Sequence, residues 1–166
     1  MIPGKETSSA LIGLSSDIMI LMREDLLNAL KVLLADEYAL YFKAHGYHWN
    51  VESKMFSQYH EFYAEIAEDV YGAIDPTAEN IRKLGGYAPY KMSRMMELCT
   101  IPETEVGSDC ESMNADLLIA TNMIITTVNK AFDIAEASRE QGIADFLASR
   151  DDMHKKYAWQ LRASMA

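Results

Sequence analysis

Proline and glycine are scarce, with 4 and 8 in 166 residues. So few breakers favour a handful of long helices over many short strands. Cysteine is scarcer still, only Cys99 and Cys110. Two are too few for a disulfide framework or a thiolate metal site, and the expected compartment is the reducing cytoplasm. Basic residues are in deficit, 15 against 25 acidic, for a formal net charge of −10. Such a surface repels phosphate, and Lys5 near one end and Arg162 near the other are no basic tail, so direct DNA binding is not expected. The opening residues lack the basic stretch, apolar run and small-residue cleavage site of an export signal. No uninterrupted apolar segment approaches the ~18 residues that span a bilayer, so no membrane role is expected. Glu-x-x-His is also absent: Asp151-x-x-His154 and Ser57-x-x-His60 come nearest. A conventional di-iron centre inside one bundle, which uses that motif on two helices, is therefore disfavoured.

What is present is helical periodicity. Residues 1–16 read as a loose leader and 17–166 as one domain. From about Ser16, with Ser16 or Asp17 as cap, to Asn50, apolar residues recur at spacings of three and four: Ile20, Met22, Leu26, Leu27, Leu30, Leu33, Leu34, Ala39. After a short connection a second helix is expected from Met55 to Leu84, with Phe56, Tyr59, Phe62, Tyr63, Ile66, Ala67 and Val70 as its stripe and Gly85-Gly86 as its stop. Residues 87–108 read as a crossover with a short helix near Lys91–Leu98, whose Met92, Met95 and Met96 suit core filling. Further helices are expected over Asp109–Ser138 and Gly142–Ala163. Two helical hairpins joined by one long crossover make an all-α, ferritin-like four-helix bundle. Pro76 complicates the second helix, since an interior proline costs ~3 kcal/mol. The alternative is a break after Gly72, with Asp75 capping a new segment.

Three of the four histidines, His45, His48 and His60, gather at one end of the first hairpin. Asp75 and Glu79 share a face of the second helix. Imidazoles with carboxylates suit a first-row metal such as iron. At 1.5 Å per residue, however, His60 and Asp75 stand ~22 Å apart along the axis. If His48, His60, Asp75 and Glu79 bind one metal together, the site must join two chains across a two-fold axis.

The run His48-Trp49-Asn50-Val51, Phe56, His60-Glu61-Phe62, Asp75, Glu79 and Leu84-Gly85-Gly86 resembles the Dps family, as do Ala144–Leu147, His154–Lys156 and Trp159–Ala163. The resemblance implies a dodecameric, iron-storing shell. Its two-fold partners share a ferroxidase centre that oxidises Fe²⁺ with peroxide or oxygen. Here that centre takes His48 and His60 from one chain and Asp75 and Glu79 from the other. The family's further aspartate falls at Ala64, which cannot bind metal. Either iron is bound more weakly, or His45 substitutes, or the shell is non-catalytic. Glu61, Glu65 and Glu68 point ~80–140° away from His60. Trp49 and Trp159 read first as packed aromatics. By resemblance Trp49 is also a candidate electron donor, and Asp145 a candidate acid at a pore.

Overall fold

The computed structural model describes residues 6–166, with side chains from Asp17 onward. Its elements are α1 (Glu6–Asn50), α2 (Phe56–Lys83), α3 (Met92–Leu98), α4 (Cys110–Ala137) and α5 (Gln141–Ala163), with no strand among the described residues. Helix α1 pairs with α2, and α4 with α5; α1 also packs on α4 and on α3, and α2 on α5. This is the expected bundle. Residues 1–5 of the expected leader lie outside the described residues, and helix is already present from Glu6. Ser16 and Asp17 therefore lie within α1 and cap nothing.

Leu26, Leu30, Leu33, Leu34 and Leu40 of α1 meet Tyr63, Ile66, Val70 and Ile81 of α2, Leu117, Ile124 and Val128 of α4, and Leu147 and Leu161 of α5 in one core. Their i, i+3, i+4 spacing places each set on one helix face. The core begins at Leu26: Ile20, expected inside, is 60% exposed. Of the crossover methionines only Met95 is buried, while Met92 and Met96 are exposed, so core filling falls to one of the three. Helix α4 is long and apolar enough to cross a membrane by length and composition. Its buried Leu117, Ala120, Ile124, Val128 and Ala131 belong to the bundle core.

Helix ends follow local chemistry. The Asp109 carboxylate accepts from Ser112 N–H at 2.8 Å and caps α4. That bond holds its carboxyl below the usual range. Helix α2 closes through Gly86 N–H to Ile81 O at 3.1 Å, with Gly85 at φ +81°. The Arg23 guanidinium donates to the Leu84 carbonyl, joining this end to α1. Pro76 does not break α2, which is continuous from Phe56 to Lys83. Asp75 is thus an interior residue and no cap. The carbonyl freed by the missing N–H belongs to Gly72. Buried Ala73, Ile74 and Thr77 hold this stretch against the core.

Polar groups pin the layers together. Asp36, fully buried, accepts from Thr100 N–H at 2.6 Å, Thr100 Oγ1 at 2.8 Å and Thr127 Oγ1 at 2.7 Å. It ties the crossover to α1 and α4. Asp116 accepts from Lys43, Tyr47 and Thr104 at 2.5, 2.6 and 2.6 Å, and these bonds hold its carboxyl below the usual range against the opposing effect of burial. Arg150 grips Asp69 through two bonds, at 3.2 and 2.7 Å, linking α5 to α2. Glu37 and His154 are fully buried. Glu37 accepts from Thr77 at 2.9 Å, but its Oε2 and both His154 ring nitrogens lack partners among the described residues.

Burial raises the Glu37 carboxyl to about 8 and lowers the His154 imidazole to about 3. Groups bearing on Glu37 are Thr77, Arg150, Asp36 and Asp69; Arg150 and Asp69 also bear on His154. The raised acid contributes stability below its unfolded value of 4.5 that is lost as pH rises through about 8. The lowered base contributes stability above its unfolded value of 6.5 that is lost as pH falls through about 3. Each limb has a slope of about 1.4 kcal/mol per pH unit, so the two cancel between 4.5 and 6.5. Thermal melts should show a stability plateau there. Glu37→Gln should remove the decline on its alkaline side, and His154→Leu the decline on its acid side. A Glu37→Gln variant that kept the alkaline decline would refute the assignment.

Candidate metal-binding half-site

The last turn of α1 and the first turns of α2 meet across the connection 51–55, which brings His48 and His60 together. Their rings stack at a centroid separation of 3.8 Å with 24° between planes, and Phe56 also stacks on His60 at 4.8 Å. The hydrogen bonds are reciprocal: His48 Nδ1–H donates to the His60 carbonyl and His60 Nδ1–H to the His48 carbonyl, both at 2.7 Å. A carbonyl only accepts, so each Nδ1 carries a proton, and in the neutral form of either ring Nε2 is the bare nitrogen. The His48 carbonyl lies in the last turn of α1, where helix carbonyls lack backbone partners. The His60 imidazole supplies one. A backbone-bonded Nδ1 that fixes a free Nε2 is the usual support of a metal-ligating histidine.

His45 stands beside this pair. Its ring lies 5.6 Å from His48 and 4.5 Å from Trp49, and its Nδ1 is 3.1 Å from the Tyr41 hydroxyl. Trp49 and Trp159 are 61% and 60% exposed, so within one chain neither is the packed aromatic expected from sequence. Asp75 and Glu79 are exposed on α2, far along it from the histidines. Among the described residues no three His, Cys, Asp or Glu of one chain form a group able to hold a metal. One protomer thus carries an imidazole pair at one end of its hairpin and a carboxylate pair toward the other. Ala64, one turn after His60, brings only a methyl group. Asp145 is exposed near the start of α5. Sequence reasoning missed the contact of Tyr41 with His45, although Tyr41, His45 and Trp49 recur at i, i+4, i+8. It also missed the interior group of Glu37, Arg150 and His154, whose signal was polar residues at core register.

Comparison with known proteins agrees with this architecture. Residues 27–166 match the family described as a ferritin-like domain. An uncharacterised low-temperature-induced protein of Nostoc sp. is 33% identical over 155 residues, covering 92% of this chain and 84% of its own. DNA protection during starvation protein 2 of Bacillus anthracis is 29% identical over 142 residues, covering 86% and 97%. The Dps protein of Vibrio cholerae O1, described as a member of a broad superfamily of ferritin-like diiron-carboxylate proteins, superposes with a TM-score of 0.83 at 25% identity, covering 88% of this chain and 92% of that one. Dps of Thermosynechococcus elongatus reaches 0.86 at 23% identity, covering 90% and 95%.

The clasp also contributes to folding. His48→Ala removes the stack and a donor to the His60 carbonyl, and should cost about 1–2 kcal/mol, read as a lower melting midpoint without metal. Asp75→Asn and Glu79→Gln, on exposed helix surface, should leave that midpoint in place. Equal losses from all three would remove the distinction between a built imidazole pair and free carboxylates.

Proposed function

The chain belongs to the Dps family of ferritin-like proteins, and from that membership we propose that it assembles into a shell that oxidises Fe²⁺ between subunits and stores the ferric product. The observation that carries this reading is the imidazole pair, with both Nδ1 atoms engaged and neither Nε2 atom hydrogen-bonded among the described residues. In the proposed assembly, a dodecamer, a two-fold axis brings Asp75 and Glu79 of one chain to His48 and His60 of another. Two imidazoles and two carboxylates suit ferrous iron, with the carboxylates balancing its charge. Peroxide, the proposed oxidant alongside oxygen, takes one electron from each of two ferrous ions. Its O–O bond breaks, and with two protons it leaves as two waters.

Exposed acids such as Asp145, at proposed pores, would draw Fe²⁺ inward through the field of a chain of net charge −10. The same charge disfavours binding to DNA. Relatives named for DNA protection during starvation then point to indirect protection, through removal of ferrous iron and peroxide. The proposed compartment is the cytoplasm.

Ala64 favours a second reading. Without the family's further aspartate, four donors remain, enough for one ion more readily than two. Iron binding is then weakened, and at the limit the particle is a non-catalytic shell.

Mixing variants tests the shared site. Shells made only of His60→Ala chains, or only of Asp75→Asn/Glu79→Gln chains, should lose ferrous oxidation. Co-assembly from equal amounts should restore about a quarter of wild-type sites, since intact histidines then face intact acids at that frequency. The readout is ferric absorbance after peroxide addition. Recovery absent from the mixture, or activity retained by the carboxylate variant alone, would overturn the shared site. A wild-type shell that assembles but oxidises no iron would establish the non-catalytic reading.

A further inference from the structure

Helix α1 extends past the bundle it belongs to. Its core residues begin at Leu26, and the Arg23 guanidinium already meets the Leu84 carbonyl at the end of α2, yet helix is present from Glu6. Residues 6–22 therefore project ~25 Å past the first hairpin. Five successive residues of this projection, Ile18 to Met22, are apolar. At 100° per residue they face every direction around the axis, so no rotation of α1 hides them against its own chain. Ile18, Met19, Ile20 and Leu21 are 53%, 67%, 60% and 64% exposed. A second, largely apolar surface lies on the bundle itself. Between α1 and α4 runs a groove of about 670 Å³, walled by Ala29, Val32, Met123 and Ile134, with the exposed Lys130 beside them. Lys130 enters no ion pair among the described residues.

We propose that the projecting start of α1 in one copy of the chain docks in the α1/α4 groove of a neighbouring copy. The proposal rests on the assembly part of the reading above and is independent of its iron chemistry. The groove cannot take its own chain's projection. Helix α1 is continuous, lines the groove with Ala29 and Val32, and runs away from it toward Glu6. Charge favours a second copy as the occupant. Chains of net charge −10 repel one another. Contact between them is best made through uncharged surface, which Ile18 to Met22 provide. Asp17, exposed at the edge of the apolar run, complements Lys130 in the groove. The two surfaces differ, so the contact is heterologous. Each copy gives a projection to one neighbour and takes one from another, which closes as a ring. A contact of this size is too small to hold two chains alone. In a ring each chain is held twice, and the projection acts as a strap between subunits.

A photoreactive benzophenone side chain in place of Ile20, in the full chain, reports what the projection touches. Irradiating the assembled particle should give a species of twice the chain mass, cross-linked to residues 123–134 of the second copy. Thr126→Trp, which fills the groove, should cut that yield severalfold. Lys130→Glu should also lower it, and adding Asp17→Lys should restore it. Ile20→Ser/Leu21→Ser should raise the concentration at which the particle dissociates, followed by light scattering, by about tenfold. Capture between two projections, capture within one chain, or no capture in an assembled particle would overturn the proposal. So would co-sedimentation of the wild type with phosphatidylcholine vesicles, which would assign the projection to a lipid surface. A wild type that stays monomeric would overturn both the docking and the assembly reading. Capture in the groove of a particle that oxidises no iron would uphold the docking and overturn the ferroxidase reading alone.

Discussion

The continuity of α2 past Pro76 is the constraint from which the proposed functional geometry follows. The helical rise holds Asp75 and Glu79 far from His60, and nothing within the chain can fold them back. Pro76 could have relaxed that constraint by opening a joint. The core contacts of Ala73, Ile74 and Thr77 on either side keep the helix continuous. The same continuity that keeps one chain from closing a complete donor set would, in the proposed assembly, give two chains a fixed spacing over which to complete it.

The half-site at the other end depends on different forces. Its two rings are oriented by backbone carbonyls, which helix geometry positions, and Phe56 supports the stack. No bulky ligand is needed to order it. In the proposed iron site, donors oriented in this way would lose little conformational freedom on binding an ion. Deeper in the bundle, Asp36 and Asp69 are fully paired, whereas Glu37 and His154 remain neutral. Charge inside this core is thus either closely partnered or removed by protonation equilibria, as low-dielectric surroundings require.

Much of this was legible in the sequence. The helices expected over Asp109–Ser138 and Gly142–Ala163 match α4 and α5 to within a residue at each end, and the pairing of His48 with His60 followed from a short connection between amphipathic runs. What escaped had identifiable causes. The start of α1 lies ahead of the apolar stripe that reports burial, so periodicity placed it late. The continuity of α2 through Pro76 depends on tertiary packing that overrides local preference. Trp49, Trp159, Met92 and Met96 were assigned inward by residue type, yet each faces out of the single chain. The tautomers of the two histidines depend on carbonyls that residue spacing alone does not locate.

The Asp36 clamp bears on how the crossover is ordered. Thr100 sits within the segment between α2 and α4, and its bonds to Asp36 fasten that point to the body of the bundle. One long excursion becomes two shorter ones, each with both ends fixed. Closure entropy rises only slowly with loop length, so either part could be lengthened at small cost provided Thr100 stays docked. Length variation on this side of the molecule should therefore be absorbed locally, without disturbing the register between the two helical hairpins.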